Sequence, residues 1–204
     1  MSFIQYKKEK VLLESIRTSN KNYIVVYPGR FQPFHINHYE TYRNLVNEFG
    51  VNNVVIATSD KVEPEKSPFN FEEKKKIITT MFDVDEDKVI KIKNPYAPVE
   101  ILENFDENTV YITAVGEKDA DRLTKGKYFS DYDEDNIEDK VGYADGGYVF
   151  VTPPNTNYYG DEKISGTLVR EVFRSGNEEE QKRLFITLYK KLNKEIFELI
   201  TDKF

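Results

Sequence analysis

The stretch YPGRFQPFHINH contains both histidines of the chain, His35 and His38. Arg30 precedes them, and imidazole and guanidinium N–H groups are good donors to phosphate oxygens. Gly29 allows the backbone to approach a ligand closely, and Pro33 fixes one backbone dihedral of the loop. These residue types favour an anion site at which charge increases during reaction, as in phosphoryl or nucleotidyl transfer.

Two other interpretations of the histidines are open. Taken alone, His38 is equally consistent with a hydrogen-bonded histidine of the core. The spacing HxxH also suits a zinc site, but the chain has two histidines and no cysteine, so carboxylates would have to complete the shell. The pair of imidazoles beside Arg30 favours an anion site, and no metal ligand is assigned.

A second stretch of interest is KISGTLVREVF, residues 163–173. Ser165 is predicted to cap a helix that begins at Gly166 or Thr167, and helix amino ends attract anions. Arg170 follows one turn later. Taken alone, this pattern is more simply a helix start with a surface arginine. Together with the first stretch, it predicts a second group of hydrogen-bond donors to phosphate.

The elements that carry these residues alternate between strands and helices. Apolar runs predict buried strands in YIVVYP, NNVVIATS, DKVIKIKN, TVYITAVG and GGYVFVTPP. Helical patterns follow the histidines as far as Gly50, and also lie in NFEEKKKIITTMF and PVEILENF. This order predicts an α/β fold, a Rossmann-like doubly wound and mostly parallel sheet. Ligands bind beyond the carboxyl ends of such strands, where the histidine loop lies.

Local capping patterns predict where several helices begin. Asn37 is the expected cap of the helix after the histidines, with Glu40 at capping-box distance. Asn70 and the glutamate three residues later predict the start of another helix. Asn177 has the same spacing to a glutamate and begins a final helical pattern.

The domain organisation is expected to be simple. Residues 1–20 are predicted to form an N-terminal helical extension, and residues 21–204 one domain that ends in a long helix. The apolar stripe of that helix fits either the core or a contact between subunits of a homo-oligomer. Its members are Phe185, Leu188, Leu192, Ile196 and Leu199.

The acidic stretch YFSDYDEDNIEDKVGYADGG interrupts the alternation of strands and helices. Its density of charge and glycine is typical of an exposed loop rather than a core element. Its carboxylates do not follow the spacing of an EF-hand loop. We therefore expect solvated acidic residues there.

Composition excludes several functional classes. The absence of cysteine excludes disulfides and a thiolate nucleophile, and fits the cytoplasm. A net charge of −7 argues against a non-specific nucleic-acid binder, which needs a basic surface. No apolar run reaches the roughly 20 residues of a membrane span, so neither nucleic acid nor membrane is an expected partner.

The motifs GRFQPFHINH and ISGTLVR resemble the two signatures, GxFxPxHxGH and ISSTxxR, of the HxGH-bearing nucleotidyltransferase superfamily. The forms GRFQPFH and SGTxVR look most like archaeal-type nicotinamide mononucleotide adenylyltransferases, as do SPFNFEEKKKII and VGEKDADR. The resemblance spans about residues 23–173. Asn37 stands where the family has glycine, and asparagine tolerates left-handed backbone better than most residues.

The resemblance implies transfer of an adenylyl group from ATP to a phosphorylated acceptor, foremost nicotinamide mononucleotide, giving NAD and pyrophosphate. It implies Mg²⁺ with ATP, held mainly by substrate phosphates and water. The implied catalytic residues are His35, His38, Arg30 and Arg170. The implied nucleotide-binding residues are Gly29, Phe31, Gly116, Asp119, Ser165, Gly166 and Thr167.

Two alternative functions remain open at this point. A cytidylyltransferase would use CTP and a phosphorylated alcohol in the same chemistry. A non-catalytic nucleotide-binding or assembly module would bind ATP without releasing pyrophosphate, with Asn37 as a mark of lost turnover.

Overall fold

The computed structural model of the protein describes residues 22–94, 96–133, 137 and 139–204. The predicted N-terminal helical extension, residues 1–20, lies outside the described residues, so it stays a prediction.

The centre of the molecule is a six-stranded sheet in which every described pairing is parallel. The strand order is β3-β2-β1-β4-β6-β5. The strands are β1 (Tyr23–Pro28), β2 (Val54–Thr58), β3 (Val89–Lys91), β4 (Val110–Val115), β5 (Phe129–Asp131) and β6 (Gly147–Val151). The predicted Rossmann-like α/β fold is confirmed, and each of the five predicted strands is present.

Helices cover the sheet and follow most of the strands. They are α1 (Ile36–Phe49), α2 (Phe71–Phe82), α3 (Val99–Leu102), α4 (Glu117–Leu123), α5 (Gly166–Ser175), α6 (Glu178–Tyr189) and α7 (Lys194–Thr201). A short hairpin, β7 (Tyr158–Tyr159) and β8 (Glu162–Lys163), lies before α5, and 3-10 turns occupy Val51–Asn53 and Glu86–Lys88. The capping boxes predicted at Asn70 and Asn177 are both confirmed.

The central strand β1 is buried on both faces, which explains its continuous apolar sequence. Val25 and Tyr27 belong to the larger core cluster, which also contains apolar residues of α1, α2 and the C-terminal helices. Ile24 and Val26 belong to a second cluster with residues of α3. The strand is therefore fixed from both sides, and so is the loop that leaves its carboxyl end.

The strand order reverses direction between β1 and β4. The chain proceeds from β1 through β2 to β3 on one side of the sheet, and β4 then pairs with the other edge of β1. The loops that follow β1 and β4 consequently diverge and leave a crevice between them. This crevice is where an open parallel sheet is expected to bind a ligand.

The predicted long C-terminal helix is wrong, because the segment forms two helices, α6 and α7. Lys190 ends α6 in a left-handed conformation (φ 59°), and the Asn193 side chain accepts a hydrogen bond from the Ile196 amide at 3.0 Å. The turn between them leaves Leu192 exposed, whereas Ile196 is fully buried. The apolar periodicity continues across the break, which is why the sequence pattern did not show it.

The acidic stretch is also not entirely a loop. Its first residues form β5, which pairs in parallel with β6 at the edge of the sheet, with Phe129 opposite Gly147. A Cβ atom on Gly147 would lie 2.8 Å from the Phe129 ring, so glycine makes room for this pairing. Three mostly polar residues at a sheet edge are too short for the periodicity rules to detect.

Among the described residues, no helix is long and apolar enough to cross a membrane.

We expect Asn193→Ala to lower the free energy of unfolding by about 1 kcal/mol, because it removes the side-chain cap of α7. The measurement is urea unfolding followed by circular dichroism. Lys194→Ala in the same turn is the control, since its side chain is 87% exposed. Equal stability of the two variants would contradict the role of Asn193 as a cap.

Candidate active site

A cavity of about 970 Å³ opens beyond the carboxyl ends of the central strands. Both sequence motifs line it, although they lie about 130 residues apart in the chain. The sequence-predicted residues that line it are Gly29, Arg30, Phe31, His35, His38, Gly116, Asp119, Gly166 and Arg170. Ser165 and Thr167 do not line it.

The first part of the β1–α1 loop packs its own backbone against an aromatic ring. The Gly29 amide donates to the Ala57 carbonyl at 3.0 Å, at the end of β2. A Cβ atom on Gly29 would lie 2.4 Å from the Phe31 ring, so any side chain would displace that ring. Phe31 itself adopts φ 46°, in the left-handed region that non-glycine residues rarely occupy. The loop is therefore held in one unusual conformation.

Gln32 fixes the middle of the same loop to the segment before α2. Its amide group donates to the Phe69 carbonyl and accepts from the Phe69 amide, each at 2.9 Å. Gln32 is 8% exposed, so both polar atoms of its amide are satisfied inside the protein.

Lys74 is a buried cation beneath the loop. Its ammonium group donates to the Thr58 hydroxyl at 2.9 Å, to the Ser59 carbonyl, and to the Arg30 carbonyl at 3.4 Å. Burial lowers the pKa of Lys74 to about 8, while Asp60 acts in the opposite direction. The side chain is therefore still mainly charged at pH 7, and it ties the loops after β1 and β2 together.

The two histidines lie at the start of α1, which differs from the predicted cap. His35, not Asn37, is the N-cap residue, and the His35 amide donates to His38 Nδ1 at 3.2 Å. Asn37 therefore lies within the first turn of the helix and has no left-handed backbone. The prediction of Asn37 as the cap was wrong because histidine is not a usual capping residue.

The two imidazoles contact each other at a tilt of 35°, and two phenylalanine rings pack against His38. The ring centroids of His35 and His38 are 3.9 Å apart, and Phe31 and Phe34 lie 5.2 Å and 5.4 Å from His38. Burial lowers the pKa of His35 to about 4, and burial together with the charge of His35 lowers the pKa of His38 well below 6.5. Both are neutral at pH 7.

The hydrogen bond at His38 also assigns its tautomer. Because Nδ1 of a neutral imidazole accepts the His35 amide, the single proton of His38 resides on Nε2. His38 can thus donate one hydrogen bond from Nε2, in the manner of an uncharged donor rather than a cation.

The second motif forms the amino end of α5, as predicted. The Ser165 hydroxyl accepts a hydrogen bond from the Leu168 amide at 3.2 Å, which confirms it as the cap. The Thr167 hydroxyl accepts one from Arg170 Nη2 at 3.3 Å. A Cβ atom on Gly166 would lie 3.1 Å from Arg170 Nη1, so glycine leaves room for the guanidinium. Ser165 and Thr167 thus position the helix start and Arg170.

The loop after β4 supplies the opposite wall. Asp119 Oδ1 lies 3.2 Å from Arg122 Nη2, and the Arg122 guanidinium lies 4.7 Å from the centre of the Tyr96 ring. Gly116 precedes α4 and has no heavy atom within 4 Å of a built Cβ position other than its chain neighbours. The wall at Gly116 is therefore open to a ligand.

Four further cationic residues, which the sequence analysis did not assign to the site, also line the cavity: Lys61, Lys66, Lys93 and Arg122. With Arg30 and Arg170 they make the cavity strongly positive, despite the net charge of −7. Lys61 and Lys93 follow β2 and β3, so their position at the carboxyl ends of parallel strands was the available signal. Asp119 is the one carboxylate on the described lining.

Within the part of the chain that the structure describes, no group of three His, Asp or Glu side chains is placed to hold a metal ion.

The sequence resembles a known protein family over most of its length. The family described as cytidylyltransferase-like is matched over residues 26–172, which is most of the chain. No curated protein matches the sequence.

Solved structures with a similar fold include two adenylyltransferases. Nicotinic acid mononucleotide adenylyltransferase of Plasmodium falciparum, complexed with NaAD, superposes with a TM-score of 0.53 at 10% identity, over 89% of this chain and 95% of that one. A bifunctional NMN adenylyltransferase/ADP ribose pyrophosphatase of Francisella tularensis, complexed with AMP and a Mn ion, gives 0.47 at 16% identity. The match covers 89% of this chain and 52% of the Francisella chain, so this chain spans about half of its length.

The lowered pKa values of His35 and His38 predict that the free energy of unfolding depends on pH. The unfolded chain protonates its imidazoles near pH 6.5, whereas folded His35 protonates near 4. Unfolding therefore takes up protons between these values, and the free energy of unfolding falls as the pH is lowered. For His35 alone the loss between pH 7 and pH 5 is about 2 kcal/mol.

The measurement is urea unfolding at pH 7 and pH 5. The control is the double variant His35→Gln, His38→Gln, which has no imidazole, so that its remaining pH dependence comes from other groups. An equal loss of stability in both proteins would contradict the neutral state of the histidines in the folded protein.

Proposed function

Because the chain belongs to the cytidylyltransferase-like family, we propose that it is a nucleotidyltransferase that uses ATP and a phosphorylated acceptor. The acceptor we propose is nicotinamide mononucleotide, with NAD and pyrophosphate as products. The family membership supports the reaction class. The choice of nicotinamide mononucleotide rests on the motif resemblance, and the Plasmodium enzyme that shares the fold acts on the related nicotinic acid mononucleotide.

The observation that carries this proposal is the convergence of two distant motifs on one positive cavity. His35 and His38 come from the amino end of α1, Arg170 from α5, and Arg30 from the loop after β1. A triphosphate bears several negative charges and is the kind of ligand that such a set of donors would bind. A cavity of about 970 Å³ has room for a nucleotide and an acceptor together.

The proposed reaction is a single in-line displacement. A phosphate oxygen of the acceptor donates an electron pair to the α-phosphorus of ATP, and a new P–O bond forms. The P–O bond between the α-phosphorus and the bridging oxygen breaks, and its electron pair leaves with pyrophosphate. No covalent enzyme intermediate is required, so the protein contributes placement and charge stabilisation.

The histidines and arginines would supply the donors. His38 would donate from Nε2 to an oxygen whose charge increases in the transition state, and His35 would bind the triphosphate beside it. Arg30 and Arg170 would each contact the outer phosphate oxygens through a planar pair of N–H groups. Buried neutral imidazoles suit this role because they need no reorganisation when charge develops.

The other predicted residues would shape the two ends of the site. Ser165 and Thr167 would act through the helix start and Arg170 rather than by direct contact. Gly29, Phe31 and Gly166 would allow close approach of the phosphates. Gly116 and Asp119 would lie near the adenosine.

Mg²⁺ would enter with ATP, bound to the phosphate oxygens, where it would neutralise charge on the triphosphate and pyrophosphate. The lining fits this arrangement, because the one carboxylate among its described residues, Asp119, is already paired with Arg122.

A second candidate is a cytidylyltransferase acting on a phosphorylated alcohol. The description of the matched family favours it, and a cavity that accommodates a triphosphate would serve either nucleotide. A non-catalytic module is a third candidate, favoured by Asn37 in place of the motif glycine. These candidates differ in which nucleotide and acceptor release pyrophosphate.

We expect the purified protein to release pyrophosphate with ATP, Mg²⁺ and nicotinamide mononucleotide, and to form NAD. The measurement is coupled pyrophosphate detection with chromatography of the product. The screen also contains nicotinic acid mononucleotide, and CTP with phosphorylated alcohols. ATP binding without pyrophosphate release from any pair would show that the protein is a binding module.

We expect His38→Ala and Arg170→Lys to lower kcat/KM substantially. Loss of a preorganised donor to the transition state costs on the order of 3 kcal/mol, so His38→Ala should reduce turnover at least about a hundredfold. Arg170→Lys keeps the charge but loses the planar pair of donors. The control is Arg174→Lys one turn later in α5, outside the cavity lining. Similar kinetics for Arg170→Lys and Arg174→Lys would rule out the proposed contact.

A further inference from the structure

Asn37 occupies the motif position at which the family has glycine, and its side chain has a definite place in the structure. Glycine is needed at a position of positive φ, but the described non-glycine residues with positive φ are Phe31, Asp83 and Lys190. Asn37 lies in the first turn of α1 instead. Its side chain therefore adds contacts without imposing a strained backbone.

The Asn37 side chain contacts a segment 120 residues away. Asn37 Oδ1 accepts a hydrogen bond from Asn157 Nδ2 at 2.7 Å, and the same amide donates to Glu40 Oε2 at 3.0 Å. Since a carboxylate accepts but does not donate, the Glu40 contact fixes which atom of the Asn157 amide is the nitrogen. The bridge from Asn37 to Asn157 is thus chemically consistent.

A second bond lies beside this bridge. Asn155 Nδ2 donates to the Thr41 hydroxyl at 2.9 Å, and that hydroxyl donates in turn to the Asn37 carbonyl at 3.0 Å. Two asparagines of the segment that follows β6 are therefore bound to the first two turns of α1, which we call the histidine helix.

Asn157 in turn positions the second motif. Its carbonyl accepts a hydrogen bond from the Ile164 amide at 2.9 Å, which closes the base of the β7–β8 hairpin. Ile164 is 3% exposed and directly precedes Ser165, the cap of α5. Asn37 is thus linked to the helix of Arg170 through three contacts in series. They are the hydrogen bond to Asn157, the Asn157–Ile164 hydrogen bond at the base of the hairpin, and the Ser165 cap of α5.

The cavity gives a reason for such a bridge. Arg30 and Arg170 line the same cavity, and like charges there repel each other when no anion is bound. A neutral hydrogen bond outside the cavity opposes that repulsion without adding charge to the site. Holding the donors in place before binding reduces the ordering that binding would otherwise require.

We propose that Asn37 is a positioning residue that, through Asn157, holds the second motif against the histidine helix and so prepares the site for a triphosphate. This inference rests on the proposed function for its ligand, ATP. It is the opposite of the alternative in which Asn37 marks a loss of turnover, since here the asparagine supports the site.

The test is a double-mutant cycle with Asn37→Ala and Asn157→Ala. Each single variant should weaken ATP binding about five- to tenfold, as expected for loss of one partly buried hydrogen bond. The double variant should be no weaker than the weaker single variant, because both remove one bridge. Binding is measured by calorimetry with the magnesium complex of a non-hydrolysable ATP analogue, and KM and kcat by pyrophosphate release. The control is Asn44→Ala, an exposed asparagine of the same helix.

Asn37→Gly, which restores the motif residue, separates this proposal from its opposite. We expect it to weaken ATP binding as Asn37→Ala does, whereas tighter binding or faster turnover would overturn the proposal. Full additivity in the double variant, or unchanged binding in Asn37→Ala, would also overturn it.

Hydrogen exchange gives a readout that does not require turnover. In Asn37→Ala without nucleotide, the amides of Ile164 and Leu168 should exchange faster than in the wild type and in Asn44→Ala. Unchanged exchange would reject the bridge. If the wild type neither binds ATP nor releases pyrophosphate, the proposed function fails, and the exchange measurement still decides whether Asn37 holds the hairpin.

Discussion

The structure depends on one constraint: the positively charged side chains that line the crevice must stay close together even when no anion balances their charge. Parallel pairing of β1 with β2 on one side and with β4 on the other makes the crevice. The cations that line it come from loops after several strands and from the start of α5. The Gln32 amide fixes the loop after β1, and the asparagine bridge fixes the segment before α5. The buried ammonium of Lys74 ties the loops after β1 and β2 together.

The stiffness of the first loop follows from steric and polar constraints acting together. Gly29 leaves room for the Phe31 ring, Phe31 adopts a left-handed backbone conformation, and its ring packs against His38. Burial keeps both imidazoles neutral at pH 7, so they add no positive charge to the crevice. This arrangement limits the repulsion among the charged groups of the crevice.

The sequence predicted the sheet well because buried parallel strands are apolar along their whole length. The expectation that the stretches around His35 and Arg170 form one site came from their pairing and from the resemblance to two family signatures, not from the strand pattern. Sequence reasoning failed where a local rule had an exception: Lys190 is left-handed without being glycine, and His35 caps a helix. It could not reveal the partner of Asn37, because that contact joins residues 120 positions apart.

The buried Lys74 has a further effect on how an anion reaches the crevice. Its N–H groups are committed to protein oxygens, so it does not compete for the oxygens of a ligand, but its charge still contributes to the local potential. The molecule as a whole carries −7, so a nucleotide at long range is repelled on average. Because the Debye length is about 8 Å at physiological ionic strength, salt screens this repulsion while the nearby cations still attract. Capture of a nucleotide would therefore be a short-range event, and its rate would depend on the ionic strength of the medium.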